Sequence, residues 1–269
     1  MAVSVHRISL TVTLSGVLLV STAVGVAAQV EKSTASVPER VLFIGNSHTQ
    51  RHGGVDWLVA NMVAAEDPAR DFEGASHTAS GVTLEYHYQN GARSRIRSGG
   101  FDTVVLQGYL PGSMTRTAEP FLEHARLLDE EIEQAGARTV FYMTWPQGRF
   151  DWADLDEFVD AHRRISEELD APVAPVGVAM QNARAQRPDI QLIGDDEVHA
   201  TWEGAYLAAA TIYATLFDRS PEGLAFAFGV SDEDAAFLQR VAWQTVTDWQ
   251  AGEPATNSGS RADPLPAQH

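Results

Sequence analysis

Short runs of β-branched and aromatic residues alternate with segments of helical period along this chain, and no other feature restricts its fold as much. Strands are expected at 40–45, 72–77, 102–107, 138–144 and 172–176, and helices at 54–65, 117–135, 154–169, 200–217 and 232–249. The longer helices carry apolar stripes. Phe121, Ala125, Leu128 and Ile132 align on one; Leu155, Phe158, His162, Ile165 and Leu169 on the next. Trp202, Tyr206, Ala209, Tyr213 and Leu216 align on the fourth, and Leu238, Val241, Thr245 and Trp249 on the last, which Ser231 and Asp234 would cap. Strands joined through helices run parallel with right-handed crossovers. The expected class is therefore α/β, a three-layer α/β/α sandwich around a mostly parallel sheet. Ligands bind such sheets beyond the carboxyl ends of the strands. Ser47, Gln107 and Trp145 each follow an expected strand and so share one rim.

The flanks read differently. Residues 1–28 begin with a short segment carrying Arg7, run through apolar Leu10 to Ala27 and end in Val26-Ala27-Ala28, the pattern of a secretory signal peptide. An uncleaved anchor is the rival reading of that stretch, and the interspersed Ser, Thr and Gly with the small-residue exit favour cleavage. A polar linker, 29–39, leads into the domain at 40–250, and a tail at 251–269, rich in Pro, Gly, Ser, Asn and Ala, is expected to be disordered. The protein is thus expected to be exported, to the periplasm or beyond, with no stable membrane insertion after leader removal. The formal charge of −17 disfavours nucleic acid and anionic membranes as partners. Cysteine is absent and Lys32 is the only lysine, which removes disulfides, thiolate sites and a lysine nucleophile in the folded body. No sequence signature speaks to oligomeric state.

Two segments carry chemistry. Gly45-Asn46-Ser47-His48-Thr49 directly follows the apolar run Val41-Leu42-Phe43-Ile44, so Ser47 stands where a buried strand turns toward a helix. A serine hydroxyl needs a neighbouring base, and histidine suits that work near neutral pH. Asp196-Glu197-Val198-His199 supplies one, with a carboxylate spaced to fold back onto the ring while leaving the far nitrogen free. Asp195 competes for that role, and the spacing favours Asp196.

With these segments in this order, the chain resembles the SGNH/GDSL hydrolases, a superfamily of esterases, lipases and carbohydrate deacetylases with a flavodoxin-like sheet. Gly45-Asn46-Ser47 resembles their first block, with Asn46 in place of the usual Asp; Gly81 resembles the glycine of the second; Asp196 to His199 resembles the last. The third block departs, since Gln107-Gly108-Tyr109 stands where the family has Gly-x-Asn-Asp. Gln107 offers the same carboxamide on a stem one methylene longer.

The resemblance implies that Ser47 attacks an ester, His199 acts as base and Asp196 orients it. The Ser47 and Gly81 N–H groups and the Gln107 amide would hold the oxyanion. Asn46, Tyr109 and Trp145 are candidates for the walls of the substrate pocket. The substrate would be a small-molecule or carbohydrate ester, an O-acetyl sugar first. The same residues would serve an O-acyltransferase of the cell envelope, and a catalytically silent glycan-binding module would keep the fold alone. No cofactor is implied. His48, His52, His77 and His87 match no tight metal-ligand spacing, His162 reads as a packed core histidine, and His124 as a surface one.

Overall fold

The computed structural model of the protein describes residue 1 and residues 39–108, 117–148 and 154–252; the expected leader, nearly all of the linker and almost the whole tail lie outside them. Five strands form one sheet: β1 (Arg40–Gly45), β2 (Glu73–Thr78), β3 (Thr103–Gln107), β4 (Arg138–Tyr142) and β5 (Val173–Ala174). Their order is β2-β1-β3-β4-β5, and every neighbouring pair is parallel. This is the flavodoxin-like order, whose direction of winding reverses between β1 and β3 and opens a crevice there.

Alternation along each buried strand divides its side chains between two cores. Val41, Phe43, Val105, Val140 and Tyr142 belong to one, with α2 (Val55–Glu66), α7 (Val176–Gln186), α8 (Trp202–Phe217) and α9 (Asp232–Gln250). Leu42, Ile44, Val104, Leu106, Phe141 and Met143 belong to the other, with α3 (Leu84–Gln89), α4 (Ala92–Gly99), α5 (Glu119–Gln134) and α6 (Leu155–Leu169). The three-layer sandwich expected from the sequence is present. Helix α8 is buried from Gly204 to Tyr213 without a break, because α2, α7 and α9 pack around it.

The five expected helices lie within two residues of their expected bounds. Ser231 caps α9 by accepting Asp234 N–H at 3.1 Å, and Thr201 caps α8 by accepting Gly204 N–H at 3.2 Å. Expected strand 172–176 shortens to two residues because Pro175 has no N–H to give the ladder and α7 begins just after it. Trp202 departs from its expected stripe: as the first residue of α8 it lies 51% exposed. Among the described residues no helix is long and apolar enough to cross a membrane.

Candidate active site

β1 ends at Gly45, and the chain turns at once into a short helix, α1 (Ser47–Gln50). A side chain at Gly45 would collide with Thr49 Oγ1 and Gln107 Oε1, so only glycine lets the turn close this tightly against β3. Asn46 caps the helix, its Oδ1 accepting His48 N–H at 3.1 Å. Its Nδ2 donates to Val82 O at 3.1 Å, tying the nucleophile turn to the segment after β2. Ser47 is the first helical residue, where backbone N–H groups have no partner within the helix.

The carboxylate and imidazole come from one tight turn before α8. Asp196 Oδ1 accepts the N–H groups of Val198 and His199 at 3.0 and 2.9 Å, and Glu197 takes φ +57° to allow it. Asp196 Oδ2 accepts His199 Nδ1–H at 2.6 Å. These hydrogen bonds, the imidazole's first among them, hold the Asp196 carboxyl well below the usual carboxylate range. Arg51 Nη1 adds a distant positive charge 3.9 Å from Oδ2. His199 Nε2 is left to accept Ser47 Oγ–H at 2.9 Å, across 152 residues of chain. Asp195 turns elsewhere, its Oδ1 accepting Gln191 Nε2–H at 3.0 Å.

The turn is pinned from outside. Trp145 Nε1–H donates to Val198 O at 3.0 Å, Gly148 N–H to Glu197 O at 2.9 Å and His52 Nε2–H to Ala200 O at 2.9 Å. Trp145 is 3% exposed, so it supports the turn from within and is not the open pocket wall expected of it. The same correction applies to Asn46, which is fully buried and spends its carboxamide on the backbone. Tyr109 lies outside the described residues.

Solved structures share this architecture. The chain superposes on a DUF4886 family protein from Bacteroides uniformis with a TM-score of 0.58 at 18% identity, covering 77% of this chain and 94% of that one. It superposes on an acetyl xylan esterase variant from Geobacillus stearothermophilus with a TM-score of 0.56 at 16% identity, covering 70% and 96%. A GDSL-like lipase, so described, from Parabacteroides merdae gives 0.54 at 17%, covering 66% and 95%. The chain has the SGNH/GDSL hydrolase fold. No family model matches its sequence, and no curated protein matches it in sequence.

Gly81 and Gln107, the other residues expected at the oxyanion hole, follow β2 and end β3 next to the turn that carries Ser47. Gly81 takes φ +68°, and nothing lies within 4 Å of where a side chain would project, so its backbone is both glycine-specific and open. Gln107 is 1% exposed. Its Oε1 accepts Asn46 N–H at 2.8 Å and Thr49 Oγ1–H at 3.1 Å, while Nε2 reaches Gly108 O only at 3.5 Å. Bracing the turn that carries Ser47 is a role that the sequence reading of Gln107 missed. Position alone signalled it, since a long carboxamide at the end of β3 faces the end of β1.

The four early histidines separate. His48 is packed 4.8 Å from the Trp145 ring and 5.6 Å from the His199 ring, and neither of its nitrogens has a hydrogen-bond partner. Burial, helped by the His199 charge, lowers its pKa to about 3, so it is a neutral ring beside the His199 imidazole. His87 donates Nε2–H to Gly45 O at 2.8 Å, and burial lowers its pKa to about 4. His77 lies 5.3 Å from the His87 ring, and His52 packs at a tilt against Trp202, ring centroids 4.3 Å apart. His162, as expected, is packed in the core, with Nδ1–H donated to Phe158 O at 2.8 Å. His124 is half-buried, not fully on the surface, and bonds Pro120 O at 2.9 Å. A cavity of about 380 Å³ behind the pinned turn is lined by residues that include Pro146, Arg184, Leu192 and Glu197, without Ser47 or His199.

Proposed function

We propose that the protein is an exported serine esterase, with O-acetylated carbohydrate its first substrate class and short-chain acyl esters the next. One observation carries this reading: the continuous line from Ser47 Oγ to His199 Nε2, and from His199 Nδ1 to Asp196 Oδ2, at 2.9 and 2.6 Å. A catalytically silent module would have no need of that alignment. The SGNH/GDSL fold supports it, since solved proteins of this architecture are described as acetyl xylan esterases and a GDSL-like lipase.

Chemistry follows from the arrangement. Ser47 Oγ attacks the ester carbonyl as His199 Nε2 takes its proton, and the Asp196 carboxylate stabilises the imidazolium that forms. The oxyanion is held by the N–H groups of Ser47 and Gly81 and by Gln107 Nε2. Collapse expels the alcohol with the proton from His199, leaving an acyl-serine. Water, deprotonated by His199, then releases the acid and restores the hydroxyl.

A fluorophosphonate probe tests the reading. Labelling of the wild type, its loss in Ser47→Ala, and release of acetate from 4-nitrophenyl acetate by the wild type alone are the expected results. Folded wild type that takes no label and cleaves no acyl ester would remove the proposal.

A further inference from the structure

Among the described residues, Met1 aside, three large apolar side chains are exposed: Trp57 at 45%, Tyr86 at 43% and Trp202 at 51%. Two of the three belong to one patch. The Trp202 ring lies 4.3 Å from His52 and 4.7 Å from Phe228; Phe228 lies 5.2 Å from Trp57, and Phe226 lies 5.9 Å from Trp57. Exposed apolar surface gathered in this way marks a place where something binds.

The patch is continuous with the proposed active site. Trp202 is three residues past His199, and His52, packed at a tilt against it, donates to the carbonyl of Ala200 at 2.9 Å. Trp57 and Trp202 open the first turns of α2 and α8, at the end of the sheet where Ser47 stands.

It is also a built feature. Phe226 O accepts Tyr206 Oη–H at 2.7 Å, and Gln239, 2% exposed, satisfies Gly223 N–H, Leu224 O and Tyr206 Oη at 2.7 to 3.0 Å. Phe228 has φ +50° and His52 φ +55°, left-handed backbone at two ring-bearing residues of one patch. Such conformations persist only where the surroundings hold them.

From this we infer that Trp202, Phe228 and Trp57 form a platform on which the sugar rings of an uncharged, O-acylated oligosaccharide stack as one of its esters is brought to Ser47. The inference rests on the serine-esterase reading for the fate of that ester. A pyranose or furanose offers an apolar C–H face and a rim of hydroxyls. Rings left half in water suit such a ligand, since one face packs while the edges stay hydrated. A fatty acyl chain needs enclosure on all sides, which these exposed indoles do not give. Charge decides between the remaining occupants: at −17, the chain repels a polyanionic polysaccharide and a second copy of itself.

The experiment compares wild type, Trp202→Ala, Trp57→Ala and the conservative Trp202→Phe on three substrates. These are O-acetylated xylo-oligosaccharide, 4-nitrophenyl acetate and 4-nitrophenyl decanoate. The expected result is a loss of tenfold or more in kcat/KM on the oligosaccharide, mainly through KM, in both alanine variants. Trp202→Phe should recover much of it, and 4-nitrophenyl acetate should change less than twofold. Equal losses on all three substrates, no loss on the oligosaccharide, or a selective loss on the decanoate would overturn the platform. So would wild type sedimenting as an oligomer that the alanine variants dissociate. Titration with unacetylated xylo-oligosaccharide, followed by calorimetry, separates this inference from the esterase reading. Binding by wild type that is lost in Trp202→Ala supports the platform even in a protein that cleaves no ester. Absence of binding at millimolar sugar rejects the platform even in an active esterase.

Discussion

The Gln107 carboxamide oxygen accepts from both Asn46 N–H and Thr49 Oγ1–H, while its Nε2 makes only a long contact with Gly108 O. Gln107 therefore serves as a brace and, in the proposed mechanism, as an oxyanion donor, and stability and turnover report the two roles separately. Gln107→Ala strands the buried Asn46 N–H, so urea denaturation should register a loss of about 1–3 kcal/mol. The same variant should lose about 10²–10³-fold in turnover. An unchanged unfolding midpoint would count against the brace, and unchanged turnover against the donor. Asp196→Asn keeps the shape of the turn but removes the charge beside His199. Steady-state kinetics should register a fall in kcat of about 10⁴-fold, the size expected when a triad aspartate becomes an amide. Because hydrogen bonds from His199 and its own backbone hold the Asp196 carboxyl low, activity lost on mild acidification does not come from protonating Asp196.

At the scale of elements, the turn before α8 depends on groups remote in sequence. Trp145→Phe keeps the ring but leaves Val198 O without its donor, which should cost about 1–3 kcal/mol. A melting curve should drop by several degrees, and kcat should fall more than KM rises. A variant with native melting and native kcat would show that the turn holds itself. The strands were legible in the sequence as short runs between helical segments, most of the five longer helices by their apolar stripes, and Ser47, Asp196 and His199 because each segment is local. What escaped had no local signal. α4, Ala92–Gly99, buries only Ala92 and Ile96 and reads as polar; α3 spans six residues; α7 begins one residue after Pro175 and merged with the strand before it. Trp145 reaches Val198 across 53 residues and Gln107 reaches Asn46 across 61, partnerships that only the folded sheet creates.

For the molecule as a whole, three buried histidines tie stability to pH. His48, His87 and His162 are 7%, 1% and 0% exposed, and burial lowers their pKa values to about 3, 4 and 4. Unfolded, each takes a proton near pH 6.5, so below that value the unfolded chain binds more protons and stability falls with falling pH. The loss is about 1.4 kcal/mol per histidine for each pH unit until the folded rings themselves titrate. Urea midpoints should therefore be flat above pH 7 and decline steeply between pH 6.5 and 5. His162→Phe, which keeps a ring against Phe121, should reduce that slope by about one proton, and an unaltered slope would refute the assignment. Two of these rings do more than fill the core: His87 holds the carbonyl of Gly45, and His48 lies against His199. The turn bearing His199 is pinned by residues that follow β1 and β4, and the nucleophile turn by β3 and the segment after β2. Both turns of the candidate site are thus hydrogen-bonded to the sheet or to segments that leave it. Loss of activity along a urea titration should coincide with loss of the sheet's circular dichroism, which would let a simple ester assay serve as a gauge of how many molecules in a sample are folded.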